Sequence, residues 1–112
     1  MRKRITPSER QCIYNKYNGR CAYCGQLITR KAFHVDHIKS LHKGGAGALD
    51  NMLPSCGSCR RYKSSYDLET FRRMLTKLPD RLRQESCDYK MALRFGMVAE
   101  HQEPPRFYFE EI

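Results

Sequence analysis

Residues 21–24 read Cys21-Ala22-Tyr23-Cys24, residues 56–59 read Cys56-Gly57-Ser58-Cys59, and between them stand His34-Val35-Asp36-His37-Ile38, Gly44-Gly45 and Asn51. Two Cys-x-x-Cys pairs can present four thiolates to one tetrahedral ion, and closing such a site ties together the ends of residues 25–55. The chain has 112 residues, is 40% hydrophobic and has no tryptophan, so it can build only a modest core and gains from a staple. The length predicts a single domain over 1–112.

Six cysteines also allow three disulfides. The N-terminus argues against a secreted, oxidised protein, because Met1-Arg2-Lys3-Arg4 runs into Thr6-Pro7-Ser8-Glu9 without an apolar stretch. A cytoplasmic protein is expected, with Zn²⁺ on Cys21, Cys24, Cys56 and Cys59. Cys12 and Cys87 have no neighbour at ligand spacing and read as small buried hydrophobes. No apolar run is long enough to span a bilayer, which predicts a soluble chain without a membrane partner. A redox role for the Cys-x-x-Cys pairs is the weaker reading, since two pairs bracketing one segment are better explained by one metal.

Twenty-one Lys and Arg against twelve Asp and Glu leave a formal net charge of +9. The basic residues cluster at Arg2-Lys3-Arg4, at Arg30-Lys31 before the histidine-rich segment, and at Arg60, Arg61 and Lys63 after the second cysteine pair. Such a pattern favours a polyanionic partner, and nucleic acid over an anionic membrane, because no long helix is basic and amphipathic without acidic interruption.

Thr6-Pro7 opens a helix over residues 7–17 that Asn18-Gly19 stops. Residues 19–25 form a tight turn. Residues 32–38 alternate as a strand, with Phe33, Val35 and Ile38 toward the core and His34 and Asp36 on the opposite face. The glycine-containing stretch 39–49 reads as a loop, Met52-Leu53-Pro54 as a return strand, and 55–65 as the second cysteine turn running into a helix. Asp67 then caps a helix bearing Phe71, Met74, Leu75 and Leu78, ended by Pro79, and residues 80–95 form another before Gly96. This gives a helical extension over 67–96. Phe107-Tyr108-Phe109 predicts a terminal strand near 106–111.

The order Cys21-x-x-Cys24, Val35-Asp36-His37-Ile38, Gly44-Gly45, Asn51-x-Leu53, Cys56-x-x-Cys59 and Lys63 resembles the HNH endonuclease family, of the ββα-metal (His-Me finger) type, over residues 21–63. The resemblance implies an α+β fold: a hairpin and a helix around one catalytic divalent ion, stapled by a purely structural zinc and flanked by further helices. It implies that His37 is the general base, that Asp36 is a ligand of a Mg²⁺ or Mn²⁺ ion, and that Asn51 braces the loop and helps orient His37. It also implies that Lys63 contacts phosphate, and that such a protein serves a phage, a mobile element or a restriction system. One position departs. Family members with these cysteines usually carry Asn or His directly after the last one, as the second ligand of the catalytic ion, and here Arg60 stands there. A guanidinium has no lone pair for a metal. His34, two residues before Asp36 on the same strand face, is the best substitute ligand, with His42 a poorer candidate, and Arg60 with Arg61 is free to bind phosphate.

The function expected from sequence is therefore a metal-dependent DNA endonuclease that nicks or cuts duplex through water activated by His37, monomeric by default. The alternative is a zinc-stapled nucleic-acid-binding module whose cleavage is impaired or lost because Arg60 replaces the usual Asn or His.

Overall fold

A computed structural model of the chain describes residues 5–38, 49–101 and 103–112. Arg2, Lys3 and Arg4, His42 and the Gly44-Gly45 pair lie outside the described residues. The described part divides into two compact units, one of residues 1–68 and 106–112 and one of residues 69–105.

In the first unit, α1 spans Pro7–Lys16. Thr6 Oγ1 accepts from the Glu9 amide at 3.1 Å while Glu9 Oε1 takes the Thr6 amide at 3.0 Å, so two of the donors a helix start leaves open are satisfied reciprocally. The helix stops at Asn18 and Gly19, both left-handed (φ 58° and 71°). A β-carbon on Gly19 would come within 2.9 Å of the Tyr14 hydroxyl, so a side chain there would have to displace the tyrosine at a left-handed φ, and glycine suits the turn toward Cys21. Ile13 of α1 packs with Phe33 and Met52 in a small buried cluster, flanked by Ile5, Tyr14, Ile28 and Val35.

Strand β1 (His34–His37) pairs antiparallel with β2 (Met52–Ser55) in the register His34 to Ser55, Val35 to Pro54, Asp36 to Leu53 and His37 to Met52. β1 is shorter than the alternation suggested. The amides of Ala32 and Phe33 both turn back onto the Thr29 carbonyl, at 3.2 and 3.0 Å, so the chain is still in a turn at those residues. β2 tolerates Pro54 because each strand of a two-stranded sheet has an open edge, and the Pro54 carbonyl accepts the Ala22 amide at 2.9 Å. That bond ties the first cysteine turn to the hairpin. α2 (Gly57–Lys63) follows β2 directly, with Cys56 as its N-cap.

The second unit is helical. α3 (Leu68–Thr76) gives way to α4 (Leu78–Glu85), and Pro79 lies in the first turn of α4, where its missing N–H leaves no bond unmade. Pro79 thus begins a helix and does not end one. The single helix expected over 80–95 is two, because Ser86 is extended and its Oγ takes the Tyr89 amide at 3.1 Å to cap α5 (Cys87–Arg94).

The terminal strand expected near 106–111 is instead a single helical turn, α6 (Tyr108–Glu111). The backbone explains it. Tyr108 and Phe109 donate to the carbonyls of Tyr23 and Ala22 at 3.0 and 2.9 Å, and the Glu110 carboxylate takes the Phe107 amide at 2.9 Å. With those donors used, no ladder is left to form. Phe107 is buried and meets Tyr23 edge-on at 5.5 Å. Cys12 and Cys87, read as buried, are exposed. No helix among the described residues is long and apolar enough to cross a membrane.

Candidate functional site

The two cysteine turns meet. The four Sγ atoms of Cys21, Cys24, Cys56 and Cys59 lie within 4.8 Å of one another, and Cys24 Sγ is 3.8 Å from Cys56 Sγ. A tetrahedral ion with bonds of about 2.3 Å to sulfur spaces its ligands by about 3.8 Å, whereas a disulfide needs about 2 Å. The first turn is closed by Gly25 N–H to Cys21 O at 3.0 Å, with Gly25 at φ 77°. The second is the start of α2, where the Cys59 amide donates to Cys56 Sγ at 3.4 Å. A hydrogen bond from Cys59 draws the Cys21 thiol well down, while that same contact and burial push Cys59 up, and burial raises Cys24. Thiols this close oppose one another's ionisation until a cation joins them, so the donor set fits a soft divalent ion such as zinc.

The staple positions a second cluster. Asp36 and Lys63 face each other across the gap between β1 and α2, with Lys63 Nζ 3.3 Å from Asp36 Oδ2. The Tyr23 hydroxyl donates to that same oxygen at 2.7 Å. Burial, and then the Asp36 charge, push the Tyr23 phenol far above the ordinary tyrosine value, so it stays a donor. Lys63 Nζ also reaches the His37 carbonyl at 3.3 Å, and the lysine is fully buried at 0% exposure. Asp36 Oδ1 has no hydrogen-bond or ion-pair partner among the described residues. A buried ammonium without a carboxylate would be very costly, so the pair stands or falls together.

Asp36 and His37 are consecutive on β1, so the ladder sends them to opposite faces, Asp36 opposite Leu53 and His37 opposite Met52. His37 is 9% exposed, and β1 ends at it. Asn51 closes the 3-10 turn Leu49–Asn51, and its carbonyl takes the Ile38 amide at 2.9 Å, one step beyond the His37–Met52 pair. His34 is exposed and shares the α2-facing side with Asp36. A β-carbon on Gly57 would lie 3.6 Å from His34 Nε2 and 3.5 Å from Arg61 Nη1, so both side chains converge over the start of α2. Arg60 and Arg61 are exposed.

The structure therefore separates the three basic residues read together after Cys59. Arg60 and Arg61 reach solvent, but Lys63 points inward, and the phosphate contact expected of it is not open to an ammonium with no exposed surface. The cause is helical spacing: Lys63 lies one turn beyond Cys59 and so shares its inward face. That signal is present in the sequence. The role of Tyr23 is not, because nothing in Cys-x-x-Cys spacing says which intervening side chain turns back toward the strand.

Residues 21–65 match the HNH endonuclease family. The match contains every residue of the thiol and Asp36 clusters, and it supports a nuclease-type function. Among the described residues, the matched segment sits in a mixed fold of two strands and several helices. A similar fold occurs in the Type II-C Cas9 enzyme from Actinomyces naeslundii, at 21% identity and a TM-score of 0.55 over 89% of this chain. The chain spans 12% of that enzyme's length. No curated protein matches the chain by sequence.

Proposed function

We propose that the chain is a metal-dependent endonuclease that hydrolyses phosphodiester bonds in DNA, with His37 as general base. The observation that carries this reading is the Asp36 carboxylate: Tyr23 and Lys63 hold its Oδ2, and it stands one residue before His37 in an HNH segment. Oδ1 remains as a hard oxygen donor suited to Mg²⁺ or Mn²⁺. Such an ion, when bound, relieves the negative charge that gathers on phosphate and leaving oxygen. The chain's own residues supply the rest. His37 takes a proton from water, and Lys63 on its carbonyl fixes the strand end that carries the ring. Tyr23 and Lys63 keep Asp36 from swinging away. Asn51 ties the neighbouring backbone at Ile38. Zn²⁺ on the four cysteines is structural, because four thiolates leave no open position.

The exposed guanidinium of Arg60 favours a second reading, a zinc-stapled DNA-binding module without cleavage. Incubating plasmid with the zinc-loaded chain and Mg²⁺ or Mn²⁺ separates them. Cleavage that His37→Ala abolishes while duplex binding persists is expected, with His34→Ala raising the metal concentration required. An inert natural chain that begins to cut as Arg60→Asn would establish the binding module.

A further inference from the structure

Away from the thiol cluster, the start of α1 and the turn before β1 enclose a cleft of about 360 Å³ lined by Pro7, Arg10, Gln11, Arg30, Lys31 and Phe33. We infer that this cleft binds a backbone phosphate of the same nucleic acid strand that passes His37, a short distance along it from the scissile bond. The inference rests on the nuclease reading above and adds an anchoring subsite to it.

Three of the six lining residues are cationic and none is acidic. Arg10 is already set in place: its guanidinium stacks over the Phe33 ring at 3.9 Å, and Nη2 donates to the Phe33 carbonyl at 2.6 Å. A guanidinium held flat in this way presents its remaining N–H groups as a preformed fork, with little side-chain freedom left to lose on binding an anion. Arg30 and Lys31 are exposed beside it. Gln11 adds a polar group that the fold leaves incomplete. Its Nε2 donates to Asn15 Oδ1 at 2.9 Å, while its Oε1 is buried with no hydrogen-bond partner among the described residues.

Phe33 lines the cleft, and His37 closes β1 four residues further along the chain. Four residues of extended chain span at most about 13 Å. Nucleic acid advances about 3.4 Å per nucleotide, so one strand held at both places has its anchored phosphate within about four nucleotides of the cut.

The test is salt-dependent binding of the full zinc-loaded chain to a short duplex, comparing the natural protein with Arg30→Ala/Lys31→Ala, two exposed positions whose loss spares the core. The log-log slope should shrink by about 0.9 for each phosphate no longer neutralised. Inorganic phosphate alone should show no saturable binding. A duplex-binding natural protein and a double variant with the same slope would overturn the subsite and leave the nuclease reading intact. Inorganic phosphate binding that the double variant loses, with the duplex slope unchanged, would assign the cleft to a free anion and overturn the inference. A natural protein that binds no duplex at any salt would overturn the nuclease reading and this one with it.

Discussion

Residues 1–68 with 106–112 carry fourteen basic and six acidic side chains, whereas residues 69–105 carry seven and six. Nearly all of the net positive charge therefore belongs to the unit that holds the segment matched to the HNH family. The two units also keep their charges differently. In the first, the deciding ion pair is buried: Lys63 at 0% and Asp36 at 13% side-chain exposure. In the second, Arg83 bridges Asp80 and Glu100 from a side chain 44% exposed, and Tyr89 donates to Glu100 at 2.6 Å. The difference teaches where each unit's order comes from. Short helices with an exposed ion-pair network can form with local contacts. A two-stranded hairpin cannot stand in water by itself, and this one depends on what is clamped across it.

Removing the metal should show the contrast most strongly. A structural zinc on thiolates contributes on the order of 10–16 kcal/mol, so chelation under reducing conditions should unfold the first unit. Limited proteolysis should then cut within residues 5–68 well before residues 69–105. Equal rates of cutting in both units, or protein that carries no zinc as purified, would break the comparison at its base.

Next in size is the buried pair. Lys63→Met leaves Asp36 without its cation and should cost about 3–5 kcal/mol in urea unfolding. Pairing it with Asp36→Leu should recover much of that loss, since a fully apolar replacement leaves no charge buried. A loss for Lys63→Met of under about 1 kcal/mol would mean that the ammonium reaches water in solution and behaves like the surface cations Arg60 and Arg61.

The smallest effect belongs to the second unit. Arg83→Ala removes both ion pairs at an exposed site and should cost no more than about 1 kcal/mol, and less as salt rises. A larger, salt-independent loss would show that the network around Glu100 is as well shielded as the Asp36 pair.

Much of this was legible before any fold was known. The Cys-x-x-Cys spacing determined which thiols meet, because two residues between ligands leave few ways for a backbone to wrap one ion. The Thr6-Pro7 start and the Asn18-Gly19 stop of α1 are local too, each depending on capping bonds or a left-handed φ within a few residues. The alternation from residue 33 to 37 put His34 and Asp36 on one face by the period of a strand. Tertiary structure alone decided the rest. Tyr23 reaches Asp36 thirteen residues away, and Phe107-Tyr108-Phe109 gives up a strand because its amides find Ala22 and Tyr23 more than eighty residues earlier. Lys63 turns inward by its helical spacing from Cys59, but it can stay there charged only because a carboxylate and the His37 carbonyl receive it. Burial of a charge depends on partners that the chain brings together in folding, and no run of neighbouring residues encodes them.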